Sequence, residues 1–424
     1  MNPRTISTRP LSTGNAGSGG RVKTKTISPQ KPRETSEGKT FCEFFAGIGL
    51  VREGLEPSGW SCVYANDIAV KKQVAYEARF GKLDHFHLGD VADTKEVIAR
   101  IHGNPFLATA SFPCIDLSVA GHFRGFVEGN PSSSFFGFSK AIEALGSRKP
   151  PVIMLENVMG LLSASKGQDY ATVAKILADL GYWIDTIVLD ACHFTPQSRP
   201  RVFVFGVAPE LKPTGERAHS GRLWPMDEPT MLRPENVLHH KETLKLSTGW
   251  ITLSTSNPPR LTTKLADLID LDDKQEWWNE IEVKRHHEMM SGLHRRQVDG
   301  FLSSGKRWVG TIFRRIREKT MRAEVRFDGL AGCLRTPKGG SAKQIVIAID
   351  SGTLRMRWMS PREYARLQGT PDFPLVGTTI QQLWGFADAV CVPAISWIDQ
   401  QILTPLYKSV NTTKKSDQIS KLVF

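Results

Sequence analysis

Thr40-Phe41-Cys42-Glu43-Phe44-Phe45-Ala46-Gly47-Ile48-Gly49 is the stretch that decides the fold. Its first half, Thr40 to Phe45, reads as a strand, and the glycines after it let the chain turn closely into a helix. Such a loop brings backbone against a ligand in the crevice at the carboxyl ends of the strands. The next glycine is Gly54, so the spacing is not G-x-G-x-x-G, which argues against a pyrophosphate and leaves a nucleoside without phosphates. Outward from this point, apolar runs at Ser61 to Asn66, Phe106 to Ala110, Val152 to Leu155, Thr186 to Asp190 and Arg201 to Val207 read as further strands. Between them lie amphipathic segments such as Val70 to Phe80 and Tyr170 to Leu180. This alternation predicts an α/β fold with a doubly wound, mostly parallel sheet.

The chain has 424 residues, and 55 basic against 43 acidic side chains give a net charge of +12. That balance points to a polyanionic partner, nucleic acid first. No run approaches the roughly 18 apolar residues of a membrane span, so a cytoplasmic address and no membrane partner are expected. The six cysteines are scattered without C-x-x-C or Cys/His spacing, which argues against a disulfide scaffold and a metal site. Residues 1–39 carry eight basic side chains against Glu34 and Glu37 and no hydrophobic periodicity, and read as a disordered basic tail. The catalytic α/β part is expected over 40–210, and a smaller irregular part over 211–340. An ordered segment returning to the first part is expected over 341–407, and a flexible tail over 408–424. In the returning segment, Gln344 to Ile349 reads as a strand, Pro361 to Leu367 as a helix capped by Ser360, and Gln381 to Leu403 as largely helical.

Chemistry-bearing residues gather at the predicted strand ends. Asp67 closes the second strand, where a carboxylate can hold ribose hydroxyls, and Asp90 follows the short Phe86 to Leu88 run; each can equally be a helix cap. Pro113-Cys114 follows the Phe106 to Ala110 strand, and Gly121, Gly125 and Gly129 behind it make a loop able to close. Glu156-Asn157-Val158 puts a carboxylate at the same sheet edge, costly there without a partner or a task. Gln197-Ser198-Arg199-Pro200-Arg201 leads into another strand with two arginines pointing the same way, salt bridging to Glu156 being the plain alternative to catalysis.

Together, Phe-x-Gly-x-Gly, Pro-Cys, Glu-Asn-Val, Gln-x-Arg-x-Arg and the late Ser360-Pro361-Arg362-Glu363 and Phe386-Ala387-Asp388-Ala389-Val390 segments resemble the C5-cytosine DNA methyltransferases, in order, from Thr40 to about Leu403. The resemblance implies the S-adenosylmethionine-dependent methyltransferase type of sheet and a variable target-recognition domain between the Arg motif and the late helix. It also implies S-adenosyl-L-methionine as methyl donor, held by Phe45, Gly47, Gly49, Asp67, Ile68, Asp90, Val91, Pro113 and Asp388. Cytosine C5 is a poor nucleophile, so Cys114 is expected to add to C6 as a thiolate. Glu156 would bond N3 and the exocyclic amine, with Arg199 and Arg201, the latter foremost, serving O2. Double-stranded DNA is the expected partner, with base flipping, a cognate restriction endonuclease in the same system, and a monomeric enzyme. A tRNA substrate with the same pocket chemistry, or a non-catalytic DNA-binding relative, are the alternatives.

DNA contact is expected from Lys306 to Arg326, where eight basic residues face Glu318 and Glu324, with Trp308 and Phe313 interleaved. Within it Arg307, Arg314, Arg315, Arg317 and Arg322 are the candidates, a solvated helix face being the alternative. One departure from the family bears on the cofactor: Ala387-Asp388 stands for the common Gly-Asn, an acid in place of an amide.

Overall fold

Seven strands make the main sheet: β1 (Thr40–Phe44), β2 (Ser61–Asp67), β3 (Phe86–Leu88), β4 (Leu107–Ala110), β5 (Val152–Val158), β6 (Trp183–Asp190) and β7 (Pro200–Val207). The order is β3-β2-β1-β4-β5-β7-β6, and every neighbouring pair is parallel except those involving β7, which runs antiparallel to both β5 and β6. The computed structural model describes residues 38–113, 134–211, 230–272, 274–336 and 343–410. Cys114, the glycine-rich loop behind it, nearly all of the basic tail and most of the C-terminal tail lie outside these residues.

Alternation along the strands builds two cores, one on each sheet face. Phe41, Leu107, Val152, Met154, Phe203 and Phe205 enter one core, and Cys42, Phe44, Ala108, Ile153, Leu155 and Val204 the other. Helices α1 (Leu50–Leu55), α2 (Val70–Phe80), α3 (Thr94–Arg100), α4 (Ser134–Ala144) and α5 (Gln168–Asp179) cover the faces, so the doubly wound α/β architecture expected from the sequence is present. Next come α6 (Glu235–Thr243), α7 (Leu265–Leu268), α8 (Glu280–Glu288) and α9 (Gly292–Ser304). Among the described residues, no helix is long and apolar enough to cross a membrane.

A second sheet holds β8 (Trp308–Arg317), β9 (Thr320–Arg326), β10 (Ile345–Asp350) and β11 (Thr353–Trp358), all antiparallel, in the order β11-β10-β8-β9. Both hairpins turn through two left-handed residues, Glu318-Lys319 and Ser351-Gly352, the geometry that matches strand twist. The smaller part is therefore a regular sheet where an irregular one was expected, and it runs past residue 340. The apolar run at Ile345 looks like a buried strand of the main sheet because it too is covered on both faces. Ile345, Ile347 and Ile349 pack under α8 and α9, and Val346 packs on the main core.

The chain then returns through α10 (Pro361–Leu367), α11 (Thr379–Asp388) and α12 (Val392–Ile398), broken at the extended residues Ala389 and Cys391. Ser360 and Glu363 form a capping box on α10. Glu363 also pairs with the buried Arg357 of β11, tying the small sheet to the returning helix. Helix α12 packs on α1, where a side chain on Gly54 would strike Ile395 at 2.7 Å.

Glu43, in the middle of β1, is buried beneath the glycine loop. One carboxyl oxygen accepts from the backbone N–H of Arg52, and the other has no partner. Burial pushes its pKa up to about 8, the Arg52 backbone bond and guanidinium opposing the shift and nearby Glu56 adding to it. A carboxyl raised above its unfolded value binds a proton in the folded state that the unfolded chain releases, so its contribution to stability falls as pH rises from about 4.3 toward 8. Glu43→Gln is therefore expected to match wild type near pH 4 and to become the more stable protein by pH 8. Urea unfolding across that range is the measurement; a gap of at most about 1.4 kcal/mol per pH unit is the ceiling, and a gap that stays constant sinks the assignment.

Candidate active site

The loop after β1 is held by three backbone features. Phe45 takes a left-handed conformation (φ 55°), which ends the strand one residue earlier than the apolar run suggests, and Gly47 and Gly49 follow at φ 60° and 85°. The two glycines are needed for different reasons. A side chain on Gly49 would enter the rings of Tyr76 and Phe80, whereas one on Gly47 would meet nothing nearer than a backbone oxygen at 4.0 Å, so Gly47 presents open backbone. Its N–H donates to Asp67 Oδ2 at 2.9 Å, and Ala69 N–H donates to Asp67 Oδ1 at 2.9 Å. Asp67 thereby joins the glycine loop to the start of α2.

Around this carboxylate stand the other residues expected to hold a nucleoside cofactor. Ile68 is 68% exposed, an apolar side chain left at the sheet edge beside a buried acid. Asp90 is exposed and accepts from Ala92 N–H at 2.9 Å in a local turn, the helix cap that was its alternative role being filled by Asp93, while Val91 beside it is buried. β3 lies beside β2, with Leu88 opposite Asp67, which brings Asp90 to the edge that carries Asp67. Across from them the Asp388 carboxylate lies 3.3 Å from Lys72 of α2, and Lys72 is 4.0 Å from Asp67. An exposed apolar side chain, a carboxylate with spare lone pairs and an open glycine backbone fit a nucleoside that carries no phosphates.

The second group sits where β4, β5 and β7 meet. Val158 of β5 is opposite Arg201 of β7, and Glu156 is opposite Phe203, so Glu156 and Arg201 are diagonal neighbours on one face. Arg201 Nε lies 3.0 Å from Glu156 Oε1, and Glu156 is 8% exposed. Asn157 points the other way and donates from Nδ2 to the Phe112 carbonyl at 2.9 Å. That bond fixes the end of the segment leading to Pro113, immediately before Cys114. Asn157 stands inside a quoted motif without a role read from sequence, because its partner is a backbone atom in the segment after the neighbouring strand β4.

Arg199 is deeper than Arg201 and has different work. Its guanidinium donates to the carbonyls of Leu334 (3.0 Å), Ala387 (2.8 Å) and Ala389 (2.6 Å), and lies 3.5 Å from Cys333 Sγ. Burial, with the guanidinium of Arg201 close by, pulls its pKa down to about 10. Both arginines do point to one side, as their spacing predicts, and Arg201 is also 3.8 Å from Cys333 Sγ. Gln197 of the same motif donates to the Leu367 carbonyl at 3.0 Å, and Ala331 and Ser198 are joined by a backbone bond of 2.9 Å. The Gln-x-Arg-x-Arg motif thus binds together the main sheet, the strand coming from the small sheet and the returning helices.

The basic segment is the β8–β9 hairpin, not a helix. In an antiparallel pair directly opposed residues share a face, and the register sets Arg315 against Arg322 and Arg317 against Thr320. Arg315, Arg317 and Arg322 therefore share one face, with Glu324 between them at 3.0 Å from Arg317. Toward the other end of this face Val309 and Val346 pack on the main core, so the arginines overhang the same side. Arg326, which also belongs to this face, pairs with Asp328. Arg314 is on the opposite, covered face, its guanidinium 4.8 Å from the Trp358 ring centre and its pKa lowered by burial. Arg307 precedes β8 and lies 3.9 Å from Asp350. The interleaved Trp308 is stacked on Phe301 at 4.7 Å and near Phe327 at 5.4 Å, within the small core.

Comparison with known proteins gives the family and the fold. The chain is 28% identical over 394 residues to the type II methyltransferase M.HpaII of Haemophilus parainfluenzae, covering 90% of this chain and 93% of that protein. It is 25% identical over 366 residues to M.DsaV of Dactylococcopsis salina, covering 86% of each. In fold it is similar to the Entamoeba histolytica methyltransferase EhMeth, with a TM-score of 0.55, 14% identity, and 90% of this chain and 99% of that one covered. The S. pombe Dnmt2 methyltransferase gives a TM-score of 0.52 at 15% identity, with 87% and 98% covered. The family model for C-5 cytosine-specific DNA methylase matches residues 39–404. With that match spanning both sheets and the returning helices, the chain belongs to the C-5 cytosine-specific DNA methylase family and is a DNA cytosine-5 methyltransferase.

Proposed function

We propose that the enzyme takes a methyl group from S-adenosylmethionine and places it on C5 of one cytosine in a short duplex sequence. The target base is rotated out of the helix into the crevice, and the modification shields DNA from a cognate restriction endonuclease. The observation that carries this reading is the Glu156–Arg201 pair at the carboxyl edge of the sheet, one strand from the segment that Asn157 ties down before Cys114.

S-adenosylmethionine supplies an electrophilic methyl group when bound. The residues around Asp67, Ile68, Asp90 and Gly47 hold its nucleoside, and Phe45, Gly49, Val91, Pro113 and Asp388 complete the wall. Cys114 acts as a thiolate on C6, forming a carbon–sulfur bond and sending electron density toward N3, O2 and C5 of the ring. Glu156 meets that density at N3 and the exocyclic amine, and Arg201 both fixes the Glu156 carboxyl and faces O2. Arg199, its donors engaged with three carbonyls, acts as a positioning residue for Arg201 and for the turn after α11. Once C5 carries the methyl group, loss of its proton returns an electron pair to the ring and expels Cys114. Flipping costs a few kcal/mol, and duplex contacts on the overhanging face of β8 and β9 supply it.

Bisulfite sequencing of plasmid from cells expressing the enzyme is expected to show protected cytosines within one short motif, and none with Cys114→Ala. Protection scattered over all contexts, or equal protection with both proteins, defeats the reading. Glu156→Gln is expected to lower kcat by about 10²- to 10³-fold with calorimetric affinity for S-adenosylmethionine unchanged within about twofold. Equal loss in kcat and affinity would instead make Glu156 a structural acid. The two faces of the hairpin give a third contrast, read from DNA affinity against salt concentration. Alanine at Arg315, Arg317 or Arg322 is expected to reduce the salt slope by about one each, whereas Arg314→Ala lowers the melting temperature and leaves the slope alone.

A further inference from the structure

Two charges near the cofactor crevice stand at the wrong ends of their helices. Asp388 is the last residue of α11, whose final turn contains no basic residue, so the carboxylate faces the negative end of the helix dipole. Lys72 lies in the first turn of α2, which begins with Val70 and Lys71, contains no acid and has no side-chain cap, so its ammonium faces a positive end. Neither charge is explained by the stability of its own helix. Their ends meet across the crevice, with Lys72 Nζ 3.3 Å from Asp388 Oδ2 and 4.0 Å from Asp67 Oδ2.

We propose that Lys72 is a positioning residue of the cofactor pocket, whose ammonium ties the Asp67 side of the crevice to Asp388 and compensates the acid that this chain carries there. The inference rests on the reading of this crevice as the S-adenosylmethionine site. Asp67 is fixed from below by the N–H groups of Gly47 and Ala69, and the turn at Asp388 is fixed from behind by Arg199, which takes the carbonyls of Ala387 and Ala389. Lys72 joins these two fixed points. Without it, two carboxylates face each other over a gap that the cofactor must enter. With Lys72 kept and Asp388 made neutral, the ammonium is left to Asp67 alone and offsets the carboxylate that faces a ligand with its own positive sulfonium. Each single loss is therefore harmful, and the joint loss restores a balanced wall.

The test is a double-mutant cycle on the full-length enzyme with Lys72→Met, Asp388→Asn and the pair together. It is read as calorimetric Kd for S-adenosylmethionine and as melting temperature without ligand. Each single variant is expected to weaken binding by about three- to tenfold, and the double variant to lie within about twofold of wild type, the effects shrinking at high salt. A kcat within about twofold of wild type at saturating cofactor is expected for Lys72→Met, since Lys72 touches no reacting atom. Single losses that multiply in the double variant, or a Lys72→Met protein that binds as wild type does, overturn the proposal while leaving the pocket reading intact. Absence of binding by the wild-type enzyme overturns both. The ligand-free melting temperatures separate these results from misfolding, because the cycle is read only among variants that melt within a few degrees of wild type.

Discussion

A buried guanidinium holds this enzyme together. Arg199 is 2% exposed, and removing such a charge from water costs several kcal/mol unless its protons are met. Three carbonyls meet those of the two terminal nitrogens, from Leu334 on the chain leaving the small sheet and from Ala387 and Ala389 at the end of α11, while the Nε–H is left without a partner. Those groups belong to segments far apart in the chain, and the buried charge makes their separation expensive. Gln197 adds a neutral version of the same tie through Leu367, so one short motif positions both the chain leaving the small sheet and the returning helices against the main sheet. Arg201, two residues on, is held against Glu156 inside that frame. The Glu156–Arg201 geometry depends on a tertiary lock made mostly of backbone oxygens.

The sheet divides the labour by strand order. β1 lies between β2 and β4, so the chain leaves it in one direction toward β3 and in the other toward β5 and β7. Ligands in such sheets sit where the order reverses, at the carboxyl ends. The β2 and β3 side carries an acid, an exposed isoleucine and open glycine backbone. The β4, β5 and β7 side carries a carboxyl, a guanidinium and the segment entering Cys114. Antiparallel β7 matters here: only a reversed strand brings its starting residues, Pro200 and Arg201, to the edge where β5 ends. A parallel strand in that place would have put the arginines at the far edge from Glu156.

How much of this was legible in the sequence follows from the range of the interactions. Strand ends are local signals, so Asp67 and Glu156 were placed at the correct edge from apolar runs, whereas Arg201 begins its strand and reaches that edge only because β7 runs antiparallel. The capping box at Ser360 and Glu363 was half legible for the same reason, but the bond from Glu363 to Arg357 was not, since it depends on where β11 lies. The basic hairpin shows the limit most clearly. Five arginines were grouped by composition, yet a period of two sends Arg314 beneath Trp358 and Arg315 to the opposite face. Reading the segment as a strand from its β-branched and aromatic residues would have separated them. The role of Lys72 was invisible, because its partner at position 388 is brought near only by the folded chain.

The small sheet and the Glu156–Arg201 pair are connected through a short run of backbone, besides the Arg357–Glu363 pair and the packing of Val309 and Val346 on the main core. After β9 the chain passes Ala331, hydrogen-bonded on both sides of Gln197, and Cys333, whose sulfur lies near both Arg199 and Arg201, before its Leu334 carbonyl meets Arg199. The arginine-bearing face of β8 and β9 therefore cannot tilt far without disturbing the guanidinium that supports Glu156. In the function proposed, a rigid link of this kind suits an enzyme that must spend binding energy from remote contacts on unstacking a base. Phosphate contacts on a floppy module would raise affinity without holding the extruded base in register with Glu156. On a sheet fixed at its inner end by buried hydrogen bonds, the proposed contacts would set the distance from the duplex to the crevice.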